Sequence, residues 1–300
     1  MAKPKIITIV GPTASGKTDL SIELALKFNG EVISADSRQV YKGLDVGSGK
    51  ITKEEMRGVK HHLLDVTSPE TNYTGADFTK DANNAISDIL ERGKLPIIVG
   101  GTFFYIELLK GRAKSAPVEP NPILRTQLER LSTEELFQEL EKTDKNRAEN
   151  IDPKNRRRLI RSLEIITALG HVPKHTITDS PYEWLNIGIN IEKNLLQQRI
   201  EERLKNRLEV GMIEEVENLL KSGVSPQWLH DLGLEYRYIA EYLQNKITYE
   251  EMLNLIVVKS RQFAKRQYTW LKRDKTIDWY DFPLNLDKVE EKITKFLSVN

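Results

Sequence analysis

Eight residues near the N-terminus, Gly11-Pro12-Thr13-Ala14-Ser15-Gly16-Lys17-Thr18, carry the spacing G-x-x-x-x-G-K-T, and an apolar, β-branched run from Lys5 to Val10 precedes them. Glycines at these positions let main-chain N–H groups wrap an anion, and a helix opening near Lys17 adds its positive end. The stretch reads as a phosphate-binding loop for a di- or triphosphate, its binding set being Gly11, Thr13, Ala14, Ser15, Gly16, Lys17 and Thr18. Lys17 neutralises phosphate oxygens, and the Thr18 hydroxyl is the expected ligand for Mg²⁺ bridging the same phosphates.

Most such loops hold ATP or GTP, and enzymes of that kind usually carry an acid at the end of a later strand to help hold Mg²⁺. Here the later apolar run Leu95–Val99 passes into Gly100-Gly101-Thr102 without an acid. The acid lies elsewhere, because Glu31–Ala35 ends in Asp36-Ser37-Arg38-Gln39. In parallel sheets the carboxyl ends of strands face the ligand crevice, so Asp36 and Thr102 are both expected to look at the bound phosphate.

The elements that must position these residues follow from periodicity. Strands are expected near 5–10, 31–35, 95–99, 185–191 and 276–280, with helices near 16–28, 77–92 and 102–110 between the early ones. That alternation gives parallel βαβ units. The fold class is α/β, a P-loop nucleotide-kinase-like parallel sheet flanked by helices, with a helical insertion domain. Prolines 117, 120 and 122 forbid helix and mark the crossing into the insertion. Helical patterns follow near 122–131, 133–142 and 153–169, the last read as opening with Asp152 as N-cap and Pro153 in the first helical position and stopping at Gly170. The expected organisation is a catalytic core of residues 1–112 and 181–300 and an insertion of residues 113–180.

Composition excludes several classes. The 300 residues include no cysteine, so disulfides and thiolate metal sites are impossible. No apolar run approaches the roughly 18 to 20 residues of a membrane span, and the chain runs directly into a strand. A cytoplasmic, monomeric protein without membrane contact is expected. The formal net charge is only +1, so any nucleic-acid contact must come from local basic patches.

Two such patches are present. Arg157, Arg158 and Arg161 are spaced three and four apart beside Leu159, Ile160 and Leu163, so they share one helix face and suit phosphates. The stretch Lys259–Arg273 interleaves Arg261, Lys265 and Arg266 with aromatics, as a surface gripping an RNA backbone does. Its Phe263 and Trp270, seven apart, are expected in the core. The adjacent His61 and His62 are read as structural, not as metal ligands.

Together the phosphate loop, Asp36–Gly47, His61-His62-Leu63, Val99–Tyr105, Arg158–Ile165 and Ala264–Trp270 resemble the tRNA dimethylallyltransferases, in family order over nearly the whole chain. The resemblance implies transfer of a dimethylallyl group from dimethylallyl diphosphate to N6 of the adenosine immediately 3′ of the tRNA anticodon, with release of diphosphate. It puts the catalytic aspartate at Asp36, Thr102 beside the reacting base and Lys17 on the diphosphate. It also implies tRNA contacts by Ser37, Arg38 and Gln39, and Arg125 near the site entrance. Together with the basic patches, the tRNA-binding set is Asp36, Ser37, Arg38, Gln39, Thr102, Arg125, Arg157, Arg158, Arg161, Arg261, Lys265 and Arg266. Arg38 departs from the methionine of many relatives, and Gly233-Leu234-Glu235-Tyr236-Arg237 departs from a more common glycine-tyrosine pairing. A P-loop small-molecule or nucleotide kinase using ATP, and an RNA-binding protein with the loop as a sensor, stand as alternatives.

Overall fold

The computed structural model describes residues 2–173 and 179–299. Along the chain the elements are β1 (Lys5–Val10), α1 (Lys17–Lys27), β2 (Gly30–Ser34), β3 (His61–His62), α2 (Gly75–Glu91), β4 (Leu95–Val99), α3 (Phe103–Leu109), α4 (Pro122–Leu128), α5 (Thr133–Thr143), α6 (Lys145–Glu149), α7 (Arg156–Leu169), β5 (Glu183–Asn190), α8 (Lys193–Glu209), α9 (Met212–Lys221), α10 (Pro226–Leu232), α11 (Leu234–Leu243), α12 (Tyr249–Leu271), β6 (Ile277–Asp281) and α13 (Leu286–Ser298). They fall into two compact units, residues 1–110 with 179–300, and residues 111–178.

The first unit is built on a six-stranded sheet in the order β3-β2-β4-β1-β5-β6. Every pairing is parallel, with Ile7 opposite both Ile97 and Leu185. Strands buried on both faces need continuous apolar side chains, and β4 is buried at all five positions. The chain leaves β1 in one direction and returns to its other flank as β5, so the end of β1 is a switch point where a ligand crevice opens. The phosphate loop follows β1 there.

Local signals set several boundaries. Capping boxes Thr74/Asp77 and Thr248/Glu251 start α2 and α12. The strand β3 is only two residues long and was not among the expected strands; it forms by pairing His61 and His62 with Val32 and Ile33. Between β5 and β6 the crossover is occupied by α8 to α12, whose apolar faces make a core of their own around Leu44, Val216, Tyr236, Ile239 and Ile256. Trp270 corrects its sequence reading: it is 44% exposed. The buried stripe of α12 is instead Met252, Ile256, Ser260, Ala264, Gln267 and Leu271.

The second unit packs α4 to α7 around Leu136, Leu140, Leu159 and Leu163. The start of α7 also differs from expectation. Asp152 and Pro153 form a turn, closed by Asn155 N–H donating to Asp152 O at 3.0 Å, and Asn155 then caps the helix by accepting from Arg158 N–H at 3.2 Å. Once the turn is made, Asn155 stands three residues before a free helical N–H, the position that a cap requires. The helix stops at Gly170 in the left-handed region, with φ 79°.

Candidate active site

A cavity of about 190 Å³ opens at the carboxyl ends of the central strands. Its floor is the phosphate loop. Ala14 and Gly16 adopt φ of 62° and 89°, which turns the loop back on itself. A Cβ on Gly11 would lie 2.7 Å from Ser15 Oγ, so only glycine lets the strand end pass beneath Ser15. No side chain caps α1, whose N-cap is Gly16, so its first N–H groups are left open to an anion.

Thr13, Ala14, Ser15, Gly16, Lys17 and Thr18 all line the cavity, while Gly11 is buried and is not part of the lining. Asp36, Ser37, Arg38, Gln39 and Thr102 line the same space. Asp36 Oδ1 accepts from Arg38 N–H at 2.9 Å and from Gln39 N–H at 3.4 Å, which fixes the carboxylate's orientation. Thr102 is tied to the same loop: its Oγ1 accepts from Ser37 N–H at 3.0 Å, and its own N–H donates to Ala35 O at 3.1 Å. Gly100 is required here because a side chain would collide with the Ala35 backbone.

Sequence reading passed over the third wall. Arg199, Arg203 and Arg207 recur every fourth residue on α8 and so share one helix face, from which Arg203 and Arg207 line the cavity. Arg199 Nε donates to Ala14 O at 2.8 Å and its guanidinium stacks over Phe282. Arg203 Nη1 donates to Thr13 Oγ1 at 2.9 Å. Arg207 Nη1 reaches Gly47 O at 3.2 Å and Glu235 Oε1 at 3.4 Å, while its Nη2 is buried with no hydrogen-bond partner among the described residues. Both Arg203 and Arg207 press on Gly49, where any side chain would collide with them. The signal was the arginine spacing, hidden in a helix charged on most of its surface.

These cations are held at electrostatic cost. Lys17 Nζ donates to Pro12 O at 2.6 Å, and enclosure by protein, followed by repulsion from Arg203, pushes its ammonium down to about 7 although part of the side chain reaches the cavity. Asp36 opposes that shift. Burial, then Arg207, brings Arg203 down to about 10, and burial likewise lowers Arg207 against the attraction of Glu235. A crowded group of desolvated cations with an orphaned donor is relieved by a polyanion.

Several of the other expected RNA-binding residues are committed to internal partners. Arg38 Nη1 pairs with Glu235 Oε2 at 3.0 Å and its Nη2 donates to Leu232 O. Gln39 donates to Gly49 O and accepts from Ser34 Oγ. Arg261 pairs with Glu201. Lys265 and Arg266 are exposed, Arg266 lying over the Phe263 ring. In the second unit Arg157 and Arg158 are exposed on α7, whereas Arg125 forks onto the buried Glu164 at 2.8 and 2.9 Å and Arg161 joins it at 3.3 Å. Burial pushes the Glu164 carboxyl up, but hydrogen bonds from Arg125, the Asn121 amide and Arg161 outweigh it and hold the group below its ordinary value.

His62 and Asp88 gather with Glu31 closely enough for a metal. Glu31, however, is already bound by both Arg92 Nη atoms, by Lys94 at 2.8 Å and by His62 at 2.7 Å. Chiefly through Arg92, these hold its carboxyl well below the usual range, so the cluster is an ion-pair network in which the acid is satisfied.

The family profile described as IPP transferase matches residues 39–274. The chain belongs to this family. It is 41% identical to the tRNA dimethylallyltransferase of Pediococcus pentosaceus over 98% of this chain and 97% of that protein. Among solved structures it is similar to the full-length tRNA isopentenylpyrophosphate transferase of Bacillus halodurans, with TM-score 0.73 and 38% identity over 99% of this chain and 96% of that one. It is also similar to a eukaryotic dimethylallyltransferase acting on tRNA, with TM-score 0.78 and 29% identity over 95% of this chain and 75% of that one. As an IPP transferase the chain carries the P-loop NTPase-like sheet with a phosphate loop and no acid at the end of β4. None of its helices among the described residues is long and apolar enough to cross a membrane.

Proposed function

We propose that this IPP transferase moves a dimethylallyl group from dimethylallyl diphosphate to the exocyclic N6 of the adenosine immediately 3′ of the anticodon in tRNA, releasing diphosphate. One observation carries the reading: a cradle of desolvated cations and a fixed carboxylate, Asp36, line the same cavity. A prenyl donor brings the polyanion, and an amine brings the proton for the carboxylate.

In the transfer, the allylic C–O bond breaks and the diphosphate leaves with its electron pair. A C–N bond forms at N6, and one N6 proton passes to Asp36. The amine is a weak nucleophile because its lone pair is delocalised into the adenine ring, so withdrawing its proton as the bond forms lowers the barrier. Charge growing on the leaving group meets the loop amides, Lys17, Arg203 and the orphaned Arg207 Nη2, donors already in place before reaction. Thr102, held beside Ser37, faces the base. An adenosine in a single-stranded loop is extruded into such a cavity at a cost of about a few kcal/mol.

The residues fit Mg²⁺, since Thr18 lies in the first turn of α1 on the cavity wall and is exposed. Thr18 would hold the ion through its hydroxyl, and the ion would neutralise phosphate oxygens when bound. Exposed Arg157, Arg158, Lys265 and Arg266 supply backbone contacts to tRNA, which weaken as salt rises. Arg38 and Gln39 contact the RNA after exchanging their present internal partners.

Incubation with Mg²⁺, unmodified tRNA and labelled dimethylallyl diphosphate tests the reading. Label in tRNA at the adenosine next to the anticodon is the expected product. ATP turnover without label transfer would overturn it in favour of a kinase, and binding without product in favour of a sensor.

A further inference from the structure

Gln267 is the only carboxamide among the residues that α12 buries, and it sits with 8% of its surface exposed in a stripe otherwise made of small and apolar side chains. Burying an amide is unfavourable unless each end is bonded. Both ends are. Oε1 accepts from the Thr13 N–H of the phosphate loop at 2.9 Å, and Nε2 donates to Gly101 O at 3.0 Å, one residue before Thr102. Gly101 is shaped to this contact, because a side chain there would collide with Gln267 Nε2.

The two loops joined in this way carry opposite halves of the proposed chemistry. Thr13 belongs to the diphosphate cradle and receives Arg203. Gly101 leads into Thr102, which is bonded on to Ala35 and Ser37 on either side of Asp36. A continuous path therefore runs from the cradle through one side chain to the carboxylate. It uses the donor and the acceptor of one carboxamide, a pair that a protonated acid of the same shape also provides and methionine does not.

We infer that Gln267 is a positioning residue that sets the separation between the leaving group and the base-side carboxylate. The inference rests on the transfer reaction proposed above. Alkyl transfer needs the amine, the allylic carbon and the leaving oxygen in line, and small displacements of either loop cost rate more than binding. Gln267 acts on rate through the loops that it joins.

Two variants of the full-length protein test it: Gln267→Met, of the same length without the polar pair, and Gln267→Glu. Single-turnover rates, dissociation constants for dimethylallyl diphosphate and for tRNA, and thermal melting are measured beside the unmodified protein. For Gln267→Met the transfer rate falls by about 10- to 100-fold while both dissociation constants stay within about threefold. For Gln267→Glu the ionised side chain cannot donate to Gly101 O, but its protonated form can. The ratio of its rate to that of the unmodified protein therefore rises from pH 8 to pH 6, and Lys17, Arg203 and Asp36, present in both proteins, are common to the ratio. A methionine variant of unchanged rate, or one losing affinity as much as rate, overturns the inference. If that variant does not fold, the glutamate ratio decides, and a ratio flat with pH overturns it. An unmodified protein that transfers nothing defeats the reaction itself, which separates the two failures.

Discussion

Arg203 on α8 donates to the Thr13 hydroxyl of the phosphate loop at 2.9 Å, although the two residues stand 190 apart in sequence. The bond holds a guanidinium, already pushed down to about 10 by burial and by Arg207, against the loop proposed to receive the diphosphate. Arg203→Ala is expected to weaken dimethylallyl diphosphate binding by about 10- to 100-fold, the worth of one charge-assisted hydrogen bond of about 1.5–3 kcal/mol. Calorimetric titration of the two proteins checks this, with tRNA affinity as the control expected to stay constant.

Lys17 is expected to make diphosphate binding depend on pH. Its ordinary value of 10.5 is lowered to about 7 by burial and then Arg203, so in the free protein at pH 8 the side chain is mostly neutral. A bound diphosphate restores the ammonium, so binding takes up a proton and affinity falls as pH rises above about 7. Titrations at pH 8 in buffers of different ionisation heat should show uptake of about one proton, lost in Lys17→Met. The same shift sets the sign for the unliganded fold: the unfolded chain binds more protons between about 7 and 10.5, so this group's penalty on stability lessens as pH rises through that window.

Glu164 ties Arg125, Arg161 and the Asn121 amide together inside the second unit, with its side chain fully buried. Its folded value lies below its ordinary one, so its contribution to stability is present above about 4.5 and lost as pH falls through the lower folded value. Glu164→Gln should destabilise the full chain by about 1–3 kcal/mol near pH 7, since both arginines keep some access to water and are not stranded. Thermal melts between pH 3 and 7 check this, the variant showing the shallower loss on the acid side.

The parallel sheet and the phosphate loop could be read from the chain because their rules are local. An apolar β-branched run followed by spaced glycines needs no distant partner to be recognised, and Asp36 is recognisable as an acid where β2 ends. Features that depend on partners remote in sequence were not legible. β3 has two residues and exists only through its pairing with β2. The arginines of α8 have the spacing of one face, but that helix is charged on most sides, so periodicity does not say which face meets the loop. The seven-residue spacing of Phe263 and Trp270 points both into the core, but α12 turns Met252, Ile256, Ser260, Ala264, Gln267 and Leu271 inward, and Trp270 lies 44% exposed against the Phe103 ring.

Asp36 carries the most demanding prediction, because the structural and the proposed chemical tasks of its carboxylate are separable. Oδ1 holds the Arg38 and Gln39 amides and so shapes the base-side loop, while in the proposed reaction the charge receives the N6 proton. Asp36→Asn keeps an oxygen acceptor for the amides and removes the base. Turnover should fall by about 100-fold or more while tRNA and diphosphate affinities remain within a few-fold of the unmodified protein. Asp36→Ala removes both tasks, so any additional loss of tRNA affinity in that variant reports the loop and not the chemistry. Rapid-quench transfer rates alongside filter-binding curves for the two variants separate the contributions; an asparagine variant of undiminished rate would show that the proton leaves by another route.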